Sequence, residues 1–188
     1  MELSEYIKEN VDTVEKLASL RNEIQLVIDI CNDALCNGNT IFFCGNGGSA
    51  ADAQHFAAEF LGRFLLDRKP LPSVALTVDT SALTAIGNDY GFEKIFSRQL
   101  IGLGKKGDVL IGLSTSGNSS NVVEAFKAAR EMQIHTVSMT GETACALDNL
   151  SDVSLKVASI KTNFVQEAHF VIGHYICLMV EKKLCANN

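Results

Sequence analysis

The chain has 188 residues, 47% of them hydrophobic and 20% charged, the balance of a globular protein long enough to enclose a full core. Lys and Arg number 16 against 22 Asp and Glu, and the net charge of −6 argues against binding nucleic acid or an anionic membrane surface. An anionic ligand would have to be held by local donors and helix dipoles, not by the field of the whole protein. No run reaches the roughly 18 apolar residues of a membrane span, and the charged opening segment lacks the apolar stretch of a signal peptide. The six cysteines (Cys31, Cys36, Cys44, Cys145, Cys177, Cys185) show neither a CxxC nor a disulfide-framework spacing. Reduced thiols and a cytoplasmic location are therefore expected.

Residues 3–36 read as helix, with Ile7, Val11, Val14 and Ala18, then Ile24, Val27, Ile28, Cys31 and Leu35, recurring at helical spacing. Asn37-Gly38-Asn39 ends the second stretch as a helix C-terminus should. This arm, residues 1–36, either covers its own sheet or packs against another subunit, and its length favours the latter. From residue 40 strand and helix patterns alternate. The predicted strands are Thr40–Cys44, Val74–Val78, Val109–Leu113, His135–Met139 and Val153–Val157, short and apolar as strands buried on both faces are. Helical patterns fall at 49–62, at 81–102 with a break at Asn88–Gly91, at 119–132, at 143–150 and at about 164–184. Together they predict an α/β fold, a doubly wound five-stranded parallel sheet preceded by the long helical arm, as one domain over residues 1–188. Such folds bind ligands outside the carboxyl ends of the strands, at a topological switch point.

Two of the predicted strand ends carry unusual loops. Leu113 is followed by Ser114-Thr115-Ser116-Gly117-Asn118-Ser119-Ser120, which opens a helix. A helix N-terminus presents unpaired N–H groups and a positive dipole end, and hydroxyls add neutral donors, so the loop suits a phosphate. An ordinary N-cap is the plainer reading, but one hydroxyl suffices for a cap and this loop holds five. After the first strand comes Gly45-Asn46-Gly47-Gly48-Ser49. It lacks the dinucleotide fingerprint and the Lys of a P-loop. Alone it is either a tight turn or a binding loop; paired with the serine loop it favours a phosphorylated small molecule.

The helix opening at the glycine loop carries His55 and Glu59 on one face, with Asp52 and Arg63 nearby. A solvated ion pair is the ordinary explanation, yet Phe56, Ala57, Ala58, Phe60 and Leu61 mark the helix as largely buried. In the last helix Gln166 and His174 point about 80° apart, whereas His169 and His174 are about 140° apart, so Gln166 with His174 is the better pair and His169 reads as core. His55, Glu59, Gln166 and His174 could satisfy one another or hold a metal, although Gln is an uncommon zinc ligand. Asn88-Asp89-Tyr90-Gly91 is either a turn or a segment facing the site.

Four segments, GNGGSAADAQHFAAEFLGRF (45–64), TAIGNDYGFEKIFSRQL (84–100), GDVLIGLSTSGNSSNVVEA (107–125) and QEAHFVIGH (166–174), resemble the sugar isomerase (SIS) domain family and, within it, the phosphoheptose isomerases. The serine loop marks the broad family of phosphosugar binders; HFAAE with QEAHFVIGH is much narrower. The resemblance implies that Ser114, Thr115, Ser116 and Ser119 hold the substrate phosphate, and that Asn46, Gly47, Gly48, Ser49, Asn88, Asp89 and Gln166 line the sugar site. It implies zinc at His55, Glu59, Gln166 and His174, with Glu59 and His174 as the acid–base pair. It further implies a homotetramer with active sites at subunit interfaces. The activity would be conversion of sedoheptulose 7-phosphate to D-glycero-D-manno-heptose 7-phosphate, for lipopolysaccharide or capsule. A non-catalytic phosphosugar-sensing or partner-binding module would keep the serine loop without needing Glu59 and His174. An isomerase of another phosphosugar would share the same site residues.

Overall fold

In the computed structural model, which describes residues 2–185, strands β1 (Ile41–Gly45), β2 (Ser73–Ala75), β3 (Val109–Leu113), β4 (His135–Gly141) and β5 (Val153–Val157) form one all-parallel sheet in the order β2-β1-β3-β4-β5. Met1 and residues 186–188 of the predicted 1–188 span lie outside the described residues. Every residue of β1 and β3 is buried, as the apolar runs required, while edge strand β5 alternates buried and half-buried positions. Alternation then divides the core. Ile41, Phe43, Val109 and Ile111 face α2 (Arg21–Cys36), α3 (Gly48–Leu61) and α7 (Thr162–Cys185); Phe42, Cys44 and Leu110 face α5 (Ile95–Leu103) and α6 (Ser120–Glu131). Burial pushes the Cys31 and Cys44 thiols up to about 12, the behaviour of inert core sulfur.

The chain runs from β1 to β2 on one side and returns past β1 to β3 on the other, which places the switch point between β1 and β3. The glycine and serine loops follow these two strands. The crevice expected of the fold is therefore framed by the two loops whose composition was unusual.

Three elements differ from the periodicity. β2 spans only Ser73–Ala75 because Leu76 leaves the ladder, its N–H still bonded to Phe43 O at 2.9 Å. The pattern at 143–150 folds as a 3-10 turn, Ala146–Asn149, since a short stretch carrying Asp and Asn competes poorly as an α-helix. The arm is broken by a 3-10 segment at Lys16–Leu20 into α1 (Leu3–Glu15) and α2. α2 covers its own sheet through Ile24, Val27, Ile28 and Cys31, whereas α1 buries only Thr13 and leaves Leu3, Ile7 and Val11 exposed. Between these helices and α7 lies an apolar cavity of about 560 Å³ lined by residues including Leu17, Ile24, Ile28, Val171 and Tyr175. The helical stretch at 81–102 divides near the expected break, into α4 (Thr80–Tyr90) and α5, with Gly91 at φ 91°.

Two contacts set the position of α7 on α3. A Cβ on Gly173 would lie 2.2 Å from Phe56 Cζ, so the bare backbone there admits the phenyl ring and lets the helices approach. Near the other end the buried Glu181 carboxylate accepts from the Phe64, Leu65 and Leu66 N–H groups at 3.0, 2.8 and 2.9 Å and from Arg68 Nε at 2.9 Å. Arg68 also donates to Glu59 O and Phe60 O at 2.8 and 2.9 Å, closing the C-terminus of α3. Burial alone would raise the Glu181 pKa; the three backbone donors and the Arg68 charge outweigh it and hold the carboxyl below its ordinary value.

Arg68→Met should strand this buried carboxylate and cost about 3–5 kcal/mol of unfolding free energy in urea titration; a loss below about 1 kcal/mol would show the clamp to be marginal. Gly173→Ala should overpack against Phe56 by about 1–3 kcal/mol, and Phe56→Leu in that background should recover part of the loss. His169, fully buried, has its pKa pushed down from 6.5 to about 4 by burial, a hydrogen bond to Thr140 O opposing. The unfolded chain takes up this proton near pH 6.5 and the folded chain does not, so stability is full above that pH and falls toward pH 4 by up to about 1.4 kcal/mol per pH unit. His169→Gln should flatten that slope in denaturation curves from pH 6.5 to 4.5; an unchanged slope would assign it to other groups.

Candidate active site

Each loop at the switch point is shaped by a residue that tolerates no side chain or needs a left-handed backbone. Gly47, the N-cap of α3, sits at φ 55° with open space where a Cβ would stand, leaving the strand end accessible to a ligand. Gly48 is covered by the Gln166 amide, whose Nε2 would lie 2.4 Å from a Cβ there. Gly117, at φ 65°, turns the serine loop, and its Cα faces the Cys145 thiol.

The hydroxyls of the serine loop bond within the loop. Ser119 is the N-cap of α6, yet its side chain makes no capping bond; its Oγ lies 3.0 Å from Ser114 Oγ. Ser114 Oγ also accepts from Gly117 N at 3.1 Å, and Ser116 Oγ accepts from Asn118 N at 3.2 Å. Ser114 is buried, Thr115 and Ser119 are half-buried, and Ser116 is exposed at the helix entrance. The loop is braced from behind by the turn at Ala146, whose N–H donates to Asn118 Oδ1 at 2.9 Å.

The two loops are joined by a residue that the sequence did not single out. Asn46 and Asn121 exchange reciprocal amide hydrogen bonds, both 2.8 Å, tying the glycine loop to the first turn of α6. An Asn just inside a helix start reads as a capping residue, so nothing local separated it from its neighbours. Ser49 is buried in the first turn of α3. Asn88 and Asp89 bond to each other at 2.8 Å on the exposed last turn of α4 and to no other residue of the expected set.

The close approach of α7 to α3 assembles the titratable cluster. His55 Nε2 and His174 Nε2 are 2.8 Å apart, and His55 Nε2 is 3.3 Å from Glu59 Oε1. At 2.8 Å one imidazole must accept the proton of the other, so at least one is neutral. Aromatic rings wall the pair: Phe170 stacks on His55 at 4.8 Å and meets His174 edge-on at 4.5 Å, while Phe64 lies 5.6 Å from His174. Burial lowers the His174 pKa and His55 lowers it further, against the raising effect of Glu59. His169 stands apart as expected, in the core with Nε2 3.4 Å from Thr140 O and Nδ1 without a partner.

Gln166 and His174 line one cavity of about 280 Å³ together with Asp52, Glu167, Phe170 and Val171. Gln166 Nε2 donates to Asp52 Oδ2 at 3.1 Å. The donor set fits a zinc ion: one ligand atom each from His55, Glu59 and His174, all within 4.8 Å of one another, two of them imidazole nitrogens and one a carboxylate oxygen.

Comparison with known proteins identifies the family. Residues 5–141 match the SIS domain family. The phosphoheptose isomerase of Akkermansia muciniphila is 50% identical over 186 residues, covering 97% of this chain and 98% of its own. The solved structure of phosphoheptose isomerase from Neisseria gonorrhoeae superposes with a TM-score of 0.91 at 42% identity, covering 96% of this chain and 97% of that one. The Francisella tularensis phosphoheptose isomerase gives 0.93 at 34% identity, with 96% of each chain covered. The chain belongs to the SIS domain family, among its phosphoheptose isomerases.

Proposed function

We propose that this enzyme converts sedoheptulose 7-phosphate to D-glycero-D-manno-heptose 7-phosphate through an enediol, supplying heptose for lipopolysaccharide or capsule. The observation that carries the reading is the His55–Glu59–His174 cluster, formed where α7 meets the helix that opens at the switch-point loop. A module that only senses a phosphosugar would need the serine loop and not this cluster.

Ketose-to-aldose conversion moves a proton between C1 and C2 and another between the oxygens they carry. Glu59 is the base for the carbon-bound proton; His174, whose pKa burial lowers, passes protons between oxygens. Ser114, Thr115, Ser116 and Ser119 anchor the phosphate at the N-terminus of α6, and Asn46, Gly47, Gly48, Ser49, Asn88, Asp89 and Gln166 line the sugar. Phe170 and Phe64 border the imidazoles. His55, Glu59, Gln166 and His174 would hold zinc, which when bound supplies Lewis acidity toward a carbonyl oxygen. The exposed apolar stripe of α1 supports a homotetramer with sites at subunit interfaces, where Asn88 and Asp89 reach a site. Six free cysteines, three of them buried, suit a cytoplasmic enzyme.

Glu59→Gln keeps the shape and removes the base, and should cut turnover by about two to four orders of magnitude. In deuterated water the wild type should carry solvent deuterium into C1 or C2 and the variant far more slowly; near wild-type exchange would move the base elsewhere. Ser116→Ala should weaken substrate binding by about 1.5–3 kcal/mol, one hydrogen bond to a charged group. Unchanged affinity would take Ser116 out of the phosphate grip. Since α2 belongs to the core, the oligomer is best tested on α1 alone. Ile7→Asp with Val11→Asp should leave a folded chain that sediments as a smaller species; an unchanged sedimentation coefficient would free this stripe from any interface.

A further inference from the structure

The cluster explains His55, Glu59 and His174 but leaves a buried acid beside it. Asp52 is only 6% exposed, on the turn of α3 preceding His55, and lines the same cavity as Gln166 and His174. Its Oδ2 receives the Gln166 Nε2 hydrogen bond at 3.1 Å. On its other side the Gln166 amide lies against the bare backbone of Gly48, in space that a Cβ would fill. The amide is thus gripped between a carboxylate and a glycine.

We propose that Asp52 is a positioning residue that fixes which end of the Gln166 amide is offered to the site. An amide can present either its oxygen or its NH2 group, and the two ends have nearly the same shape. A metal ion or a donating sugar hydroxyl needs the oxygen, because the amide nitrogen has no free lone pair. A carboxylate only accepts, so Asp52 draws the NH2 group to itself and leaves Oε1 for the ligand. Glycine at position 48 lets the amide lie flat enough to do this. Gln166 is a neutral ligand and an uncommon one for zinc; a fixed carbonyl end is what makes it serviceable. The inference rests on the reading that Gln166 belongs to the site.

The test uses the full chain and four variants: Asp52→Asn, Gln166→Glu, the two combined, and Gln166→Ala. Each is assayed for zinc affinity by chelator competition, for kcat and KM, and for thermal unfolding. Asp52→Asn is isosteric but can donate as well as accept, so it no longer sets the amide. It should lower zinc affinity about 10–100-fold, the usual effect of losing a partner behind a metal ligand. It should lower kcat with little change in KM and leave the melting temperature near wild type. Gln166→Glu sets two carboxylates against each other and should bind zinc poorly. In the combined variant the new Asn donates to the new Glu, and zinc affinity should recover at least tenfold over Gln166→Glu alone. Additive losses, or Asp52→Asn at wild-type zinc affinity and kcat while Gln166→Ala is impaired, would overturn the role of Asp52 and spare the site. Wild-type zinc affinity and kcat in Gln166→Ala would instead remove Gln166 from the site, and the inference with it.

Discussion

The contact of Phe56 with the bare backbone of Gly173 governs this molecule. His55 and His174 are the immediate neighbours of these two residues, so the depth to which the ring enters the helix crossing sets the 2.8 Å between the imidazoles. The Arg68–Glu181 pair holds the opposite end of the same crossing and at once completes the hydrogen bonding of α3's last turn. Packing and chemistry are therefore not separable here. The residues that press α7 onto α3 are the residues that bring the titratable groups within reach of each other.

The serine-loop end, proposed to hold phosphate, obeys a different economy. With a net charge of −6 the protein has no general attraction for an anion, and no cation stands within the serine loop itself. Selectivity has to come from short-range donors: hydroxyls, backbone N–H groups and the dipole of α6. Such a site favours a ligand whose shape brings phosphate to the helix end and disfavours polyanions that would feel the whole negative surface. The reciprocal Asn46–Asn121 amides tie the two loops together and fix the spacing between them.

The sheet was readable because β1 and β3 are apolar throughout, and a buried parallel strand leaves that trace. The parallel, doubly wound arrangement followed from connection rules, whereas the order of strands was not legible in any residue. What periodicity misjudged was local competition: Leu76 to Val78 continued the apolar run of β2 while the backbone had already turned, and residues 143–150 had helical spacing but too few residues to sustain an α-helix. At the site, His55, Glu59, Gln166 and His174 were visible because polar residues interrupt apolar helix faces. Asn121 and Glu181 were not, since an Asn at a helix start and a Glu beside Lys182 and Lys183 resemble ordinary capping and surface residues. Asp52 was seen without its role, because its partner lies 114 residues away in the chain. Exposed Asn88 and Asp89 read as a turn or a segment facing the site, and only the resemblance assigned them to the sugar; no spacing rule connects them to the rest.

That sequence separation has a consequence for how the enzyme is born. His55 and His174 are 119 positions apart, and α7 is the last element of the described chain. During synthesis the N-terminal strands and helices emerge first, with one face of the sheet and the Phe56 and Phe60 side of α3 lacking their cover until residues 162–185 are made. The growing polypeptide thus exposes apolar surface through most of translation, and His55 and Glu59 gain His174 beside them only at the end. A ribosome that stalls before α7 would release a chain with the serine loop, an incomplete titratable cluster and an open aromatic face for chaperones to recognise.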